Sequence, residues 1–315
     1  MDNEKLLSEE KLILHYYRNG KYVDFLAQTS SVDSWKLLAF REDCIRKGLG
    51  CEPNLEEANR ILKQIHPKVL ELSNSGDAYA QNFLGIWHSR QSYSSLIEYN
   101  AFKAFELFSA SANMGFAPAQ TNLAAAYRTG KGVCQNEEKA LELFRAAAAQ
   151  NYGPAFEWLG WMAAHGSEKD YAVALEMYNK SISTGSPDAI CSLAFLYLNG
   201  YGVVKDVRRA YALYHKAAEI GIAQAQFQLY LLLNEGNGCS KNQQEALRWL
   251  RAAAIRGNAD AQCELGYLHD KGEGVEHDEQ IAAEWYLKAA EAGNNSARCN
   301  LAWCYAEGAG VRKDL

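Results

Sequence analysis

Proline is scarce in this chain, with five in 315 residues, which leaves little room for a flexible Pro-rich linker. No stretch approaches 18 uninterrupted apolar residues, so no membrane span is expected. The start, Met1 to Glu10, carries Asp2, Glu4, Glu9 and Glu10 and no apolar run, which argues against a secretory signal. The eight cysteines form no CxxC pair and no second motif at zinc-ligand spacing, so neither metal nor cofactor is expected. Excess positive charge is missing too. Lys and Arg total 32 against 38 Asp and Glu, a net charge of −6, which argues against phosphate-tracking nucleic-acid binding. A cytoplasmic location is expected, with export by a route lacking an N-terminal hydrophobic signal left open.

What is present is ordinary globular composition, 48% hydrophobic and 22% charged, laid out as a repeat. The run Gly257 to Gln262 recurs, loosely rewritten, at Gly76, Gly115, Asn151, Gly185, Gly221 and Gly293. The intervals are 39, 36, 34, 36, 36 and 36 residues. Self-similarity at this period means stacked copies of one small unit, each burying its apolar face against its neighbours. A length that would otherwise suggest two domains is thereby accounted for, because such a core grows along one dimension.

Counting from the recurring Gly as position 0, Ala falls at +4 and Leu at +8 in all seven frames, as Ala261 and Leu265 illustrate. With Ala126 and Tyr127 or Leu196 and Tyr197 at +11 and +12, this is one face of an α-helix, helix A. Small residues at +9, such as Gly85, Gly160 and Gly266, should admit a close neighbour. A paired-Gly turn follows at +15 to +18, as in Gly130 to Val133 and Gly308 to Val311, and reads as a left-handed C-cap. It lacks the Lys-Ser/Thr of a phosphate-binding loop. Helix B opens on an Asp or Asn N-cap: Asn100, Asn136, Asp170, Asp206, Asn242 and Asp278. Ala four residues on, bulky residues after it and a closing Ala pair complete a close-packed antiparallel partner.

These residues resemble the Sel-1-like repeat, a relative of the tetratricopeptide repeat, over about residues 76–315. The G-x-G-V turn favours this over the 34-residue tetratricopeptide pattern. The resemblance implies an all-α fold, a right-handed α/α superhelical solenoid. Residues 76–315 then hold six complete repeats and a last one lacking its second helix, with Asp314 at the next N-cap place. Truncation is the favoured reading of that end. Residues 33–75 read as a degenerate copy, with Arg41 where Leu is expected. Residues 1–32 read as a helical cap, with a helix over Leu6, Leu7, Ile13, Leu14, Tyr16 and Tyr17 ending at Asn19-Gly20. Two turns are irregular: residues 89–99 replace the glycines with a Ser-rich run, and the 151 frame keeps only Gly166.

Positions +3, +6, +10 and +13 point roughly opposite the +4/+8/+11 stripe. The resemblance implies that this face lines the concave side, where related solenoids hold peptides. Its candidate binding residues are Trp161, Phe195, Phe227, Leu231, Tyr267 and Trp303, with the acids Glu157, Asp188, Asp260 and Asp270. An apolar ladder in an acidic groove suits a protein or peptide with apolar and basic side chains. The plainer alternative is that the +10 residues pack between adjacent A helices. Arg128 is the one basic residue of the face, so a carboxylate clamp is not expected.

The function expected is therefore a non-catalytic protein-interaction scaffold or adaptor that binds neither nucleic acid nor membrane. Two alternatives stand beside it. One is an enzyme built on Cys263 with His269 or Glu157 with His165, pairs that lack a third orienting group. The other is a homo-oligomer joined through solenoid ends or the Ser-rich turn.

Overall fold

The computed structural model describes residues 22–29, 34–49, 51–90 and 97–313. Among them are sixteen helices and no strand, and successive helices pack pairwise, as in an α/α solenoid. The expected helix over Leu6 to Tyr17 and the cap residue Asp314 lie outside the described residues, as does most of the Ser-rich turn.

The chain divides into two compact units, Met1–Ser192 and Leu193–Leu315. The first holds α1 (Tyr22–Gln28), the degenerate pair α2 (Trp35–Lys47) and α3 (Leu55–Asn74), and three further pairs. These are α4 (Ala78–Ser89) with α5 (Ala101–Asn113), α6 (Ala117–Thr129) with α7 (Glu137–Ala149), and α8 (Gly153–His165) with α9 (Tyr171–Ser183). Helix α10 (Ala189–Asn199) carries the chain from one unit to the other. The second unit holds α11 (Val207–Ile220), α12 (Ala223–Glu235) with α13 (Gln243–Ile255), α14 (Ala259–Lys271) with α15 (Glu279–Glu291), and α16 (Asn295–Glu307).

The conserved spacing within the chain has a packing reason at each position. All seven +4 alanines are fully buried, so a larger side chain there would overpack. The small +9 residue receives the aromatic ring of its own helix B. A Cβ on Gly85 would stand 2.6 Å from Phe108, and one on Gly160 or Gly266 2.8 Å from Tyr178 or Tyr286. The six expected helix B caps all form, each side chain accepting from the backbone N–H three residues on. Asn54 does the same for α3.

One joint was not anticipated. The +5 side chain reaches back to the last turn of the preceding helix B. Gln226 Nε2 donates to the Ala218 carbonyl at 3.1 Å and Gln262 Nε2 to Ala254 at 3.0 Å. Gln81 Nε2 donates to Ser73 at 3.3 Å in the same way. These carbonyls belong to the set a helix end leaves without an internal partner.

Two glycine positions do different work. At position 0 the chain leaves helix B in the left-handed region, φ 82° at Gly257, with no atom within 4 Å of an added Cβ. Asn151 takes the same conformation at φ 61°, as Asn tolerates better than other non-glycine residues. The second turn glycine, Gly132, instead lies against the Ala101 carbonyl, inside the space a Cβ would need. Gly166 departs from the pattern, with an extended backbone at φ −63° and ψ 173°.

These two environments predict different penalties. Gly257→Ala should cost about 1–2 kcal/mol for its backbone alone. Gly132→Ala should lose roughly a further 1–3 kcal/mol to overpacking. Urea unfolding of the two variants beside the parent chain checks the order.

Candidate functional site

The candidate face differs between the two units. In the first, the last turn of α6 brings Arg128 over two rings of α8, 4.6 Å from the centre of Trp158 and 4.4 Å from that of Trp161. Trp158 stacks on Phe144 of α7 at 5.6 Å and meets Trp161 edge-on. The His165 ring stacks on Trp161 at 4.5 Å. Trp161 is thus half-buried in a packed cluster. Trp158, at +7, was not among the expected site residues. Its role depends on a contact between copies, which spacing within one copy does not reveal.

Further along the same face, Glu157 and Asp188 lie near Cys191 and Tyr152. Burial pushes the Glu157 carboxyl up to about 8, and the Asp188 charge adds to the effect. The same two causes raise Tyr152 to about 12. Cys191 rises to about 12 for these reasons, with Glu157 contributing. Asp188 itself is exposed.

Part of this face is covered from within the chain. Helix α1 buries Tyr22 and Phe25 completely, with Phe25 edge-on to Phe40 of α2 at 4.8 Å. Arg41, where the repeat pattern calls for Leu, donates to the Leu26 carbonyl and to Thr29 Oγ1. The Tyr22 hydroxyl is raised by burial first, then by Cys44, Asp188 and Asp43. Asp188 thus lies within electrostatic reach of a residue 166 positions earlier.

In the second unit the +10 residues divide. Phe195, Tyr267 and Trp303 are 45%, 40% and 50% exposed, whereas Leu231 is half-buried, as is Phe227 at +6. Phe195 lies edge-on to Tyr201 at 5.8 Å, and Phe227 stacks on Tyr230. Tyr267, Asp270 and Trp303 line one cavity of about 170 Å³ with Lys271, Tyr286 and Asn300. Lys271 Nζ pairs with Asp270 Oδ2 at 2.8 Å. Asp260 is used differently: its Oδ1 accepts from Asn294 Nδ2 of the next copy at 2.8 Å. Tyr230, one copy earlier, joins the copy that holds Asp260 by donating to Glu264 Oε1 at 2.6 Å.

Neither candidate catalytic pair assembles. No hydrogen bond joins Glu157 to His165 among the described residues, and His165 Nδ1 faces the Trp161 carbonyl at 3.0 Å. His269 Nδ1 faces the Glu276 carbonyl at 3.0 Å rather than Cys263. Burial, then Glu264 and Asp260, push the Cys263 thiol up, away from the thiolate a nucleophile needs.

With this geometry in view, the comparisons with known proteins are informative. The Sel1 repeat model matches residues 37–64, 78–116, 117–152, 157–186, 187–222, 223–258, 259–294 and 295–315. The chain belongs to the Sel1 repeat family. A Sel1 repeat protein from Oxalobacter formigenes superposes with a TM-score of 0.60 at 30% identity, covering 76% of this chain and 100% of that one. Immunity protein PA5088 from Pseudomonas aeruginosa shares the fold, with a TM-score of 0.53 at 22% identity over 70% of this chain and 82% of its own. Cut9 with Hcn1, an APC/C hetero-tetramer, gives 0.50 at 16% identity over 88% and 58%. Sel1 repeat proteins are in general non-catalytic, and the family's repeats serve protein–protein interaction.

The buried Glu157 carries a pH signature. Its folded-state value lies above its unfolded one, near 4.5, so between about pH 4.5 and 8 the folded state holds the extra proton. Stability should therefore fall as pH rises through that window, at a limit of about 1.4 kcal/mol per pH unit. Melting of the parent chain and Glu157→Gln from pH 5 to 9 should show the slope in the parent and a flatter profile in the variant.

Proposed function

We propose that this Sel1 repeat protein is a scaffold that captures a partner through the +10/+13 side chains of its A helices. The cavity formed by Tyr267, Asp270 and Trp303 is the observation that carries the reading. All three are candidate residues by their repeat spacing, and they line this cavity together. Two half-exposed aromatic rings and a carboxylate over a buried Tyr286 suit the cationic end of a partner's Arg or Lys. The Lys271 ammonium on Asp270 is the internal stand-in that such a side chain would replace. Exposed Phe195 adds apolar surface in the same unit. Eight free cysteines suit a reducing compartment, in line with a cytoplasmic scaffold.

The test uses the immobilised full chain and amidated random hexapeptides with one fixed Arg, compared with a pool carrying Gln at that place. The parent should retain the Arg pool about tenfold better, the scale of one to two cation–π contacts. Tyr267→Ala combined with Trp303→Ala should abolish that preference while changing the melting temperature little, since both rings are half exposed. Equal retention of both pools by the parent would remove the reading.

A further inference from the structure

The larger cavity of the first unit has the opposite chemistry. Its volume is about 340 Å³, and it opens between the ends of α4, α5 and α6 and the Trp158 ring of α8. Phe105, Phe108 and Ala125 supply apolar wall, Asn122 and Arg128 polar wall, with Lys131 exposed beside them. In a chain of net charge −6, this lining holds two cations and no acid among the described residues.

Arg128 is the unusual member. Its guanidinium carbon lies 4.6 Å and 4.4 Å from the centres of the Trp158 and Trp161 rings, which hold the group in place by cation–π contact. Among the described residues it makes no salt bridge, and its Nε is buried with no hydrogen-bond partner. Leaving a buried donor of a charged group unsatisfied is costly, and most Arg side chains in such a place have a carboxylate beside them. Here the neighbouring acid does not fill that role: Glu157 responds to burial and Asp188 alone. The half-buried position of Arg128 beside the two indoles lowers the local dielectric, which strengthens any charge pair formed there.

We infer that this cavity is a recognition site for a peptide carboxylate, held by the Arg128 guanidinium, with an adjoining apolar side chain against Phe105 and Phe108. The site is separate in sequence and in chemistry from the Tyr267–Trp303 cavity. It rests on the reading of this protein as a partner-binding scaffold but adds a second, acidic determinant to the partner. The Arg128 guanidinium sets its selectivity: its planar fork of N–H donors favours a two-oxygen acceptor over a neutral amide of the same shape. The carboxylate can come from an Asp or Glu side chain or from a chain terminus, and the two are told apart experimentally.

The experiment again uses the immobilised full chain. Three hexapeptide pools, randomised over residues other than Asp and Glu, are compared: fixed Glu with an amidated terminus, fixed Gln with an amidated terminus, and fixed Gln with a free carboxyl terminus. At low salt the parent should retain one carboxylate pool at least tenfold over the neutral pool. Preference for the first identifies a side-chain carboxylate, and preference for the third a terminal one. Arg128→Met should erase the preference, and Arg128→Lys, which keeps the charge and loses the planar fork, should reduce it severalfold. Arg248→Gln, an exposed residue of the second unit, should leave it unchanged. Thermal melting followed by circular dichroism confirms that each variant is folded, and Arg128→Lys supplies the answer if Arg128→Met is not. Equal retention of all three pools by the parent, or a preference that survives in folded Arg128→Met, would overturn the assignment. Retention of the fixed-Arg pool by Arg128→Met reports separately on the other cavity, so the two ideas fail independently.

Discussion

A helix of about 13 residues does not persist alone in water, because its nucleus is costly and few hydrogen bonds follow it. Most helices of this protein have that length. Each therefore depends on its neighbours for burial and on side chains for its unpaired ends. The small-residue contacts meet the first need, letting ring and backbone approach at Gly85, Gly160 and Gly266. The Asp and Asn caps and the +5 Gln bridges meet the second. The caps open every helix B from α3 to α15, while the Gly contacts and the Gln bridges recur in three copies each, so the stack is held by many small contributions rather than by one central core.

How much of this was legible beforehand follows from how local each feature is. The caps, the turn glycines, the +4 Ala and the +8 Leu act within one copy, so spacing alone located them. The family membership followed from the same positions. Contacts between copies were not legible. The rotation between adjacent copies decides whether Arg128 at +13 reaches Trp158 at +7 of the next copy, and no residue in either copy records that rotation. Helix α1 was missed for a similar reason, since its two aromatics are buried by residues distant in sequence. The candidate ladder itself was a mixture. Trp161 is packed among Arg128, Trp158 and His165, while Tyr267 and Trp303 stay open on either side of one cavity.

Acids on one face thus have three different fates. Asp260 is held by a neighbouring copy's Asn294, Glu157 is driven toward its neutral form by burial, and Asp270 remains paired with a replaceable Lys271. Residue type predicted a uniformly acidic groove. Local dielectric and hydrogen bonding instead give each acid its own state, and the first unit carries the cationic Arg128 as well.

The bond from Asn294 to Asp260, with its counterpart from Asn258 to Gln224, spans 34 residues and ties helix A of one copy to helix A of the next. Its donor sits at the cap position, while its acceptor, Asp260 or Gln224, stands at +3, one of the positions of the candidate face. Joint and surface therefore share a letter of the same 36-residue word. Cutting out or duplicating one whole copy keeps this cap donor in register with the +3 position of the copy before it, while cutting half a copy strands both. The natural unit of length change in this protein is the complete repeat, which carries its joint with it.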